Sequence, residues 1–194
     1  MTKLTGALIF ALLWIVTTSF VFAQDEMSQN EQMNAWMEYM TPADMHEMLA
    51  KSNGDWKTIS RWWMDPAAEP MESEGTAKFE MILGGRYQKS YHTGEVMGMP
   101  MEGINLLGYD NATKEFTSIW IDNMGTGTAV AKGKYDEGTN SIIMNGSMID
   151  PMTKKNMSFK QIFKRIDDNH QIVEMYMDFD GQEFKSMEVE LLRE

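Results

Sequence analysis

The chain has 194 residues, with 29 acidic against 17 basic side chains, a net charge of −12 at pH 7, 21 methionines and no cysteine. The missing thiols exclude disulfides, thiolate nucleophiles and cysteine-held metals. The acidity opposes nucleic-acid phosphates and anionic lipid, so neither is expected as a partner.

Residues 1–23 read MTKLTGALIFALLWIVTTSFVFA. One base, Lys3, precedes an apolar run from Ala7 to Val16, and the small residues Val21 and Ala23 stand at −3 and −1 before Gln24. This is the grammar of a secretory signal peptide. A cleaved signal and a periplasmic or secreted location are therefore expected, with no membrane attachment afterwards. Cleavage removes one base and no acid, which takes the mature chain from −12 to −13. The remaining residues, about 170, suffice for a single core and one domain.

Residues 24–54 read as a polar, Met-rich helical segment. Ser28 and Glu31 form a capping box, and Met33, Trp36, Met37 and Met40 recur at helical spacing. Thr41-Pro42 is expected to stop that helix and cap a second one, with Met45, Met48 and Leu49 on its apolar face. Stripes of this kind normally pack, so the helices are expected to cover one end of the domain.

From residue 55 to 194 the period changes to two. Phe79, Met81 and Leu83 alternate with Lys78 and Glu80. Met157, Phe159, Gln161 and Phe163 alternate with Ser158, Lys160, Ile162 and Lys164. Val173, Met175 and Met177 alternate with Glu174, Tyr176 and Asp178. Half-buried antiparallel strands have this pattern. Turn signals recur throughout, including Gly84-Gly85, Gly94 to Pro100, Asp110-Asn111 and Asn123 to Gly127. About ten strands at this spacing predict an all-β, antiparallel up-and-down barrel, since closure removes exposed edges.

Gly54-Asp55-Trp56 follows a short helix and opens the first strand. It is similar to the G-x-W start of lipocalin-like (calycin) barrels. That resemblance implies an arginine from near the chain end packed over the tryptophan, and Arg193 holds the matching place. A longer likeness spans residues 41 to 193. TPADMHEMLAKSNGDW, ILGGRY (82–87), GMPMEGINLLGYDNATKEF (98–116) and IWIDNMGTG (119–127) resemble, in order, a bacterial family known as domain of unknown function 1579. The resemblance implies a β-rich, barrel-like and often exported domain. It implies no reaction.

No G-x-S-x-G, Walker A or H-E-x-x-H occurs, so a binding module is expected rather than an enzyme. The first candidate site is a ligand wall for a small apolar or amphipathic molecule. Arg86 in GRYQKSY shares a strand face with Gln88 and Ser90, while Tyr91 takes the other. Trp120 and Asp122 share a face in FTSIWID: an aromatic wall with a polar anchor. The competing reading makes Asp110 and Asp122 turn caps and Trp120 core.

The second candidate is MGMPM. Thioethers are soft and select Cu(I), and Met97, Met99 and Met101 would share a face if extended. With Met45, His46 and Met48 they suggest Cu(I) or Ag(I) handling. The simpler reading is a Gly/Pro turn filled with adaptable apolar side chains, so no metal or cofactor is assigned. His92 and His170 are expected to face solvent at strand ends. A third possibility is a packed barrel that serves envelope structure or protein contact.

Overall fold

The computed structural model describes residues 27–179 and 181–194. The signal-peptide reading falls on residues 1–23, outside the described residues. Two helices, α1 (Gln29–Met40) and α2 (Asp44–Ala50), precede ten strands. These are β1 (Gly54–Trp62), β2 (Met71–Ile82), β3 (Tyr87–Val96), β4 (Met99–Asp110) and β5 (Glu115–Asp122), then β6 (Ala129–Asp136), β7 (Ser141–Ile149), β8 (Asn156–Arg165), β9 (His170–Phe179) and β10 (Gln182–Arg193). Each strand runs antiparallel to its neighbours in the chain, and β10 pairs with β1 to close the barrel. The expected ten-stranded up-and-down barrel is therefore the fold. No helix among the described residues is long and apolar enough to cross a membrane.

Alternation sets the two faces of the wall. Trp56 and Thr58 on β1, Ala77 and Phe79 on β2, Gln88 and Ser90 on β3, and Phe116 and Ser118 on β5 are all buried. The residues between them face outward, where Arg61 bonds Glu72 on one side and Glu188 on the other. Leu83 leaves the expected alternation: it sits in the β2–β3 turn at φ 50 and is exposed.

The two ends of the barrel differ. At the floor, α2 lays Leu49 into a core with Leu107, Phe116, Ile142 and Met144, flanked by Met45 and Met48. Gln88 from inside the wall donates to Leu49 O at 2.6 Å, which satisfies a helix-end carbonyl that would otherwise be buried without a partner. Beside the plug stands a second cluster of Trp56, Ala77, Phe79 and Leu191. The Arg193 guanidinium lies 4.2 Å from the Trp56 ring centroid. It also donates to Lys51 O, Asn53 O and Asp168 O at 2.7 to 2.8 Å. Trp56 and Arg193 are direct partners at the end of the β1–β10 ladder, so the latch implied by G-x-W joins the barrel's first and last strands.

Three local expectations are corrected. Thr41 does not cap α2: its hydroxyl donates back to Met37 O at the end of α1. Helix α2 starts after Ala43, whose N–H bonds His46 Nδ1 at 3.1 Å. The apolar stripe of α1 packs into no core among the described residues: Met33, Trp36, Met37 and Met40 are all exposed, and α2 plugs the floor. The bend at 94–100 is shorter than expected. Val96 pairs with Met99, so Met97 and Gly98 alone make the turn, both at positive φ, as a two-residue type I′ hairpin requires. Gly94 and Pro100 lie within strands.

Candidate functional site

The plugged floor leaves the other half of the barrel hollow. A cavity of about 350 Å³ runs from Phe79, Asn105 and Leu191 up to Trp62, Val96 and Met124 at the rim. That volume lies at the lower end of the range for small-molecule sites, ~300–1,000 Å³. Its wall is mainly apolar: Phe159, Phe163, Val173, Val189 and Ala131, with Met101, Met124, Met148, Met175 and Met187. Thioether side chains with three rotatable bonds can refit around guests of different shape.

Polar groups are spaced through this wall and mostly satisfy one another. Ser118 Oγ donates to Asn105 Oδ1 at 2.8 Å, across neighbouring strands. His92 Nε2 and Ser90 Oγ are 2.9 Å apart. Burial lowers the His92 pKa to about 4, so the ring is neutral at physiological pH. His92 continues an edge-to-face chain of rings from floor to rim. Trp56 meets Phe79 at 6.2 Å, Phe79 meets His92 at 5.7 Å, and His92 meets Trp120 at 5.2 Å.

Trp120 and Asp122 sit at the upper end of this chain. The indole Nε1–H donates to Asp122 Oδ2 at 2.5 Å, and Asp122 Oδ1 accepts from Met124 N–H at 2.9 Å. Asp122 is thus a turn cap and part of the cavity wall at once, so both readings of it apply. Trp120 needs a bare backbone opposite: a Cβ on Gly103 would lie 2.3 Å from its ring. Gly103 on β4 pairs with Asp122 on β5, which places the indole across the glycine.

The other two sequence candidates lie outside the cavity. Arg86 precedes β3 and does not share the inward face of Gln88 and Ser90. Its guanidinium donates to Met40 O at 2.6 Å and to Leu83 O at 3.2 Å, so it ties the end of α1 to the β2–β3 turn. Tyr91 faces outward, with its hydroxyl donating to Glu102 Oε2 at 2.7 Å. Asp110 caps its turn through Ala112 N–H at 2.8 Å. Arg86 and Asn111 instead border a shallower hollow of about 330 Å³ on the outer wall, where Asn111 donates to Glu38 O, Tyr39 O and Thr41 O.

His92 was expected at the surface and faces the cavity instead. His170 does stand on the outer face, with Nε2 3.0 Å from Glu190 Oε1. Sequence reasoning missed His92 for a local reason. Every second residue of YQKSYHT is polar on either face, so alternation there carries no inside–outside signal.

The methionine motif is split by its turn. Met97 lies in the hairpin and is exposed, while Met101 lines the cavity. This hairpin is at the rim, whereas Met45, His46 and Met48 are at the floor, eight β3 residues away or about 26 Å. No single ion can be held by both. His46 Nδ1 is occupied by Ala43 N–H, and its ring packs edge-on against Tyr109.

A comparison with curated proteins found no match. A family model described as "Protein of unknown function (DUF1579)" matches residues 41–193. The match takes in the plug helix, the whole barrel and the latch arginine, and leaves out α1. On that match over most of its length, this chain, a closed ten-strand barrel, belongs to the DUF1579 family.

Proposed function

We propose that this protein is a binding module that carries one small apolar or amphipathic molecule inside its barrel, and that it does so outside the cytoplasm after export. The observation that carries the binding reading is the cavity of about 350 Å³ above the α2 plug, open at the rim. A ten-stranded barrel could fill that space with side chains. Here Ala129, Ala131, Ser90 and Ser118 keep it open, where larger residues would close it. An empty apolar cavity forfeits dispersion contacts, and a guest that fills it restores them. Export is supported by the form of residues 1–23.

Native mass spectrometry of the protein purified from the cell envelope tests the reading. A co-purifying organic mass is expected, lost in Ala131→Phe, which fills the cavity from an inward position. A bare protein that also fails to take up an apolar fluorescent probe would overturn it.

A further inference from the structure

The charge of the cavity wall narrows the class of guest. Among the described residues, no lysine or arginine lines the cavity. Its one imidazole, His92, bonds Ser90 and is neutral at physiological pH. Three acidic residues border the space, Glu74, Glu95 and Asp122. Glu74 and Glu95 occupy outward register positions on β2 and β3, next to Ser73 and Val96. Asp122 is the acid in an inward position, two residues along β5 from Trp120 and four from buried Ser118.

Asp122 is held but not neutralised. Its two partners are neutral donors, the Trp120 indole and the Met124 amide. They fix the carboxylate at the rim, and among the described residues no ion pair reaches it. Each carboxylate oxygen has a further acceptor direction beyond the bond it already makes. Beside it stand an indole ring and thioethers, which are polarisable neighbours for a cation. Below it the wall is apolar, with only neutral polar groups at depth.

An anionic headgroup would find no counter-charge among the described residues of this cavity, and at the rim it would meet Asp122. A cationic headgroup would meet a fixed carboxylate at the entrance, while its apolar body entered the methionine- and phenylalanine-lined interior. The net charge of −12 adds a field of the same sign.

We propose that the guest is a cationic amphiphile: an apolar body with one amine-type headgroup, which Asp122 holds at the rim as a charge-assisted hydrogen-bond acceptor. This rests on the reading that the barrel carries a ligand at all, and the test separates the two. Three ten-carbon probes that differ only in the headgroup, decylamine, decanol and decanoate, are titrated into the protein below their micellar concentrations. Quenching of tryptophan fluorescence and calorimetry read the binding. Decylamine should bind about tenfold or more tighter than decanol, the ratio expected of a charged hydrogen bond, with decanoate weakest. Asp122→Asn, which keeps an oxygen to accept from the indole, should remove the amine's advantage over the alcohol.

Equal affinity of amine and alcohol, or tightest binding of decanoate, overturns the cationic assignment and leaves the carrier reading standing. A preference for amine that survives Asp122→Asn overturns the role of Asp122 and assigns the preference to the overall charge. If none of the three binds, the carrier reading itself fails. The ranking on the unaltered protein decides the headgroup question even where the variant is unstable.

Discussion

Replacing Arg193 with alanine tests how the barrel is closed. Arg193 makes four contacts at the seam: its guanidinium over Trp56, and hydrogen bonds to the carbonyls of Lys51, Asn53 and Asp168. The first two carbonyls belong to the turn from α2 into β1, and the third to the β8–β9 turn. One side chain therefore pins the plug, the first strand and the last strand together. The cation–π contact is worth about 0.5–2 kcal/mol. Each hydrogen bond adds a net contribution of about 1 kcal/mol, reduced here because Arg193 is partly exposed. Together these give a loss of about 2–4 kcal/mol, which for a domain of this size lowers the melting temperature by about 4–15 °C. Thermal unfolding followed by far-ultraviolet circular dichroism measures it. Arg193→Lys is the companion variant. It keeps the positive charge but not the planar fork that reaches three carbonyls, so it should recover less than half of the loss. If Arg193→Ala melts within about 2 °C of the parent, an error margin well below the expected shift, the latch does not close the barrel and the reasoning fails.

Two further predictions follow from single residues. His92 titrates near 6.5 when unfolded and at about 4 in the fold, so the unfolded chain binds the extra proton between those values. Its contribution is fully present above pH 6.5 and is lost as the pH falls towards 4. The loss is at most about 3 kcal/mol, a ceiling because part of the ring faces the cavity. Urea unfolding at pH 7 and pH 4.5 should show a smaller drop in His92→Gln than in the parent, and equal drops would refute the neutral buried imidazole. Met97 holds a left-handed φ of 53 in a two-residue turn, a conformation that asparagine tolerates better. Met97→Asn should raise stability by about 0.5–1 kcal/mol in calorimetric unfolding, and a lower melting temperature would count against the type I′ turn.

The barrel was legible in the sequence because a strand's inside and outside are two residues apart. Phe159, Gln161 and Phe163, and Val173, Met175 and Met177, face inward as their alternation predicts. The latch was legible through the resemblance to G-x-W barrels, which implies Arg193 over Trp56, and the structure places them 4.2 Å apart. The site was half legible. Trp120 and Asp122 face the cavity, but Arg86 and Tyr91 do not. GRYQKSYHT is polar at every other position on both faces, and only closure of the wall decides that Gln88, Ser90 and His92 look inward. The α1 stripe shows the opposite limit. Periodicity reveals that a helix has an apolar face, but whether anything covers it depends on where the chain places that helix.

Composition and period by themselves determined the class of fold, a count of about ten strands and the absence of thiol chemistry. Those features rest on local rules that act between residues a few positions apart. Tertiary structure alone decided that one end of the barrel is plugged and the other hollow. It also decided that the methionines of MGMPM part at a turn, and that one carboxylate faces an interior that no cation among the described residues lines. Each of these depends on residues brought together by ring closure from strands far apart in the chain, and no pattern within a single strand encodes the space left between them.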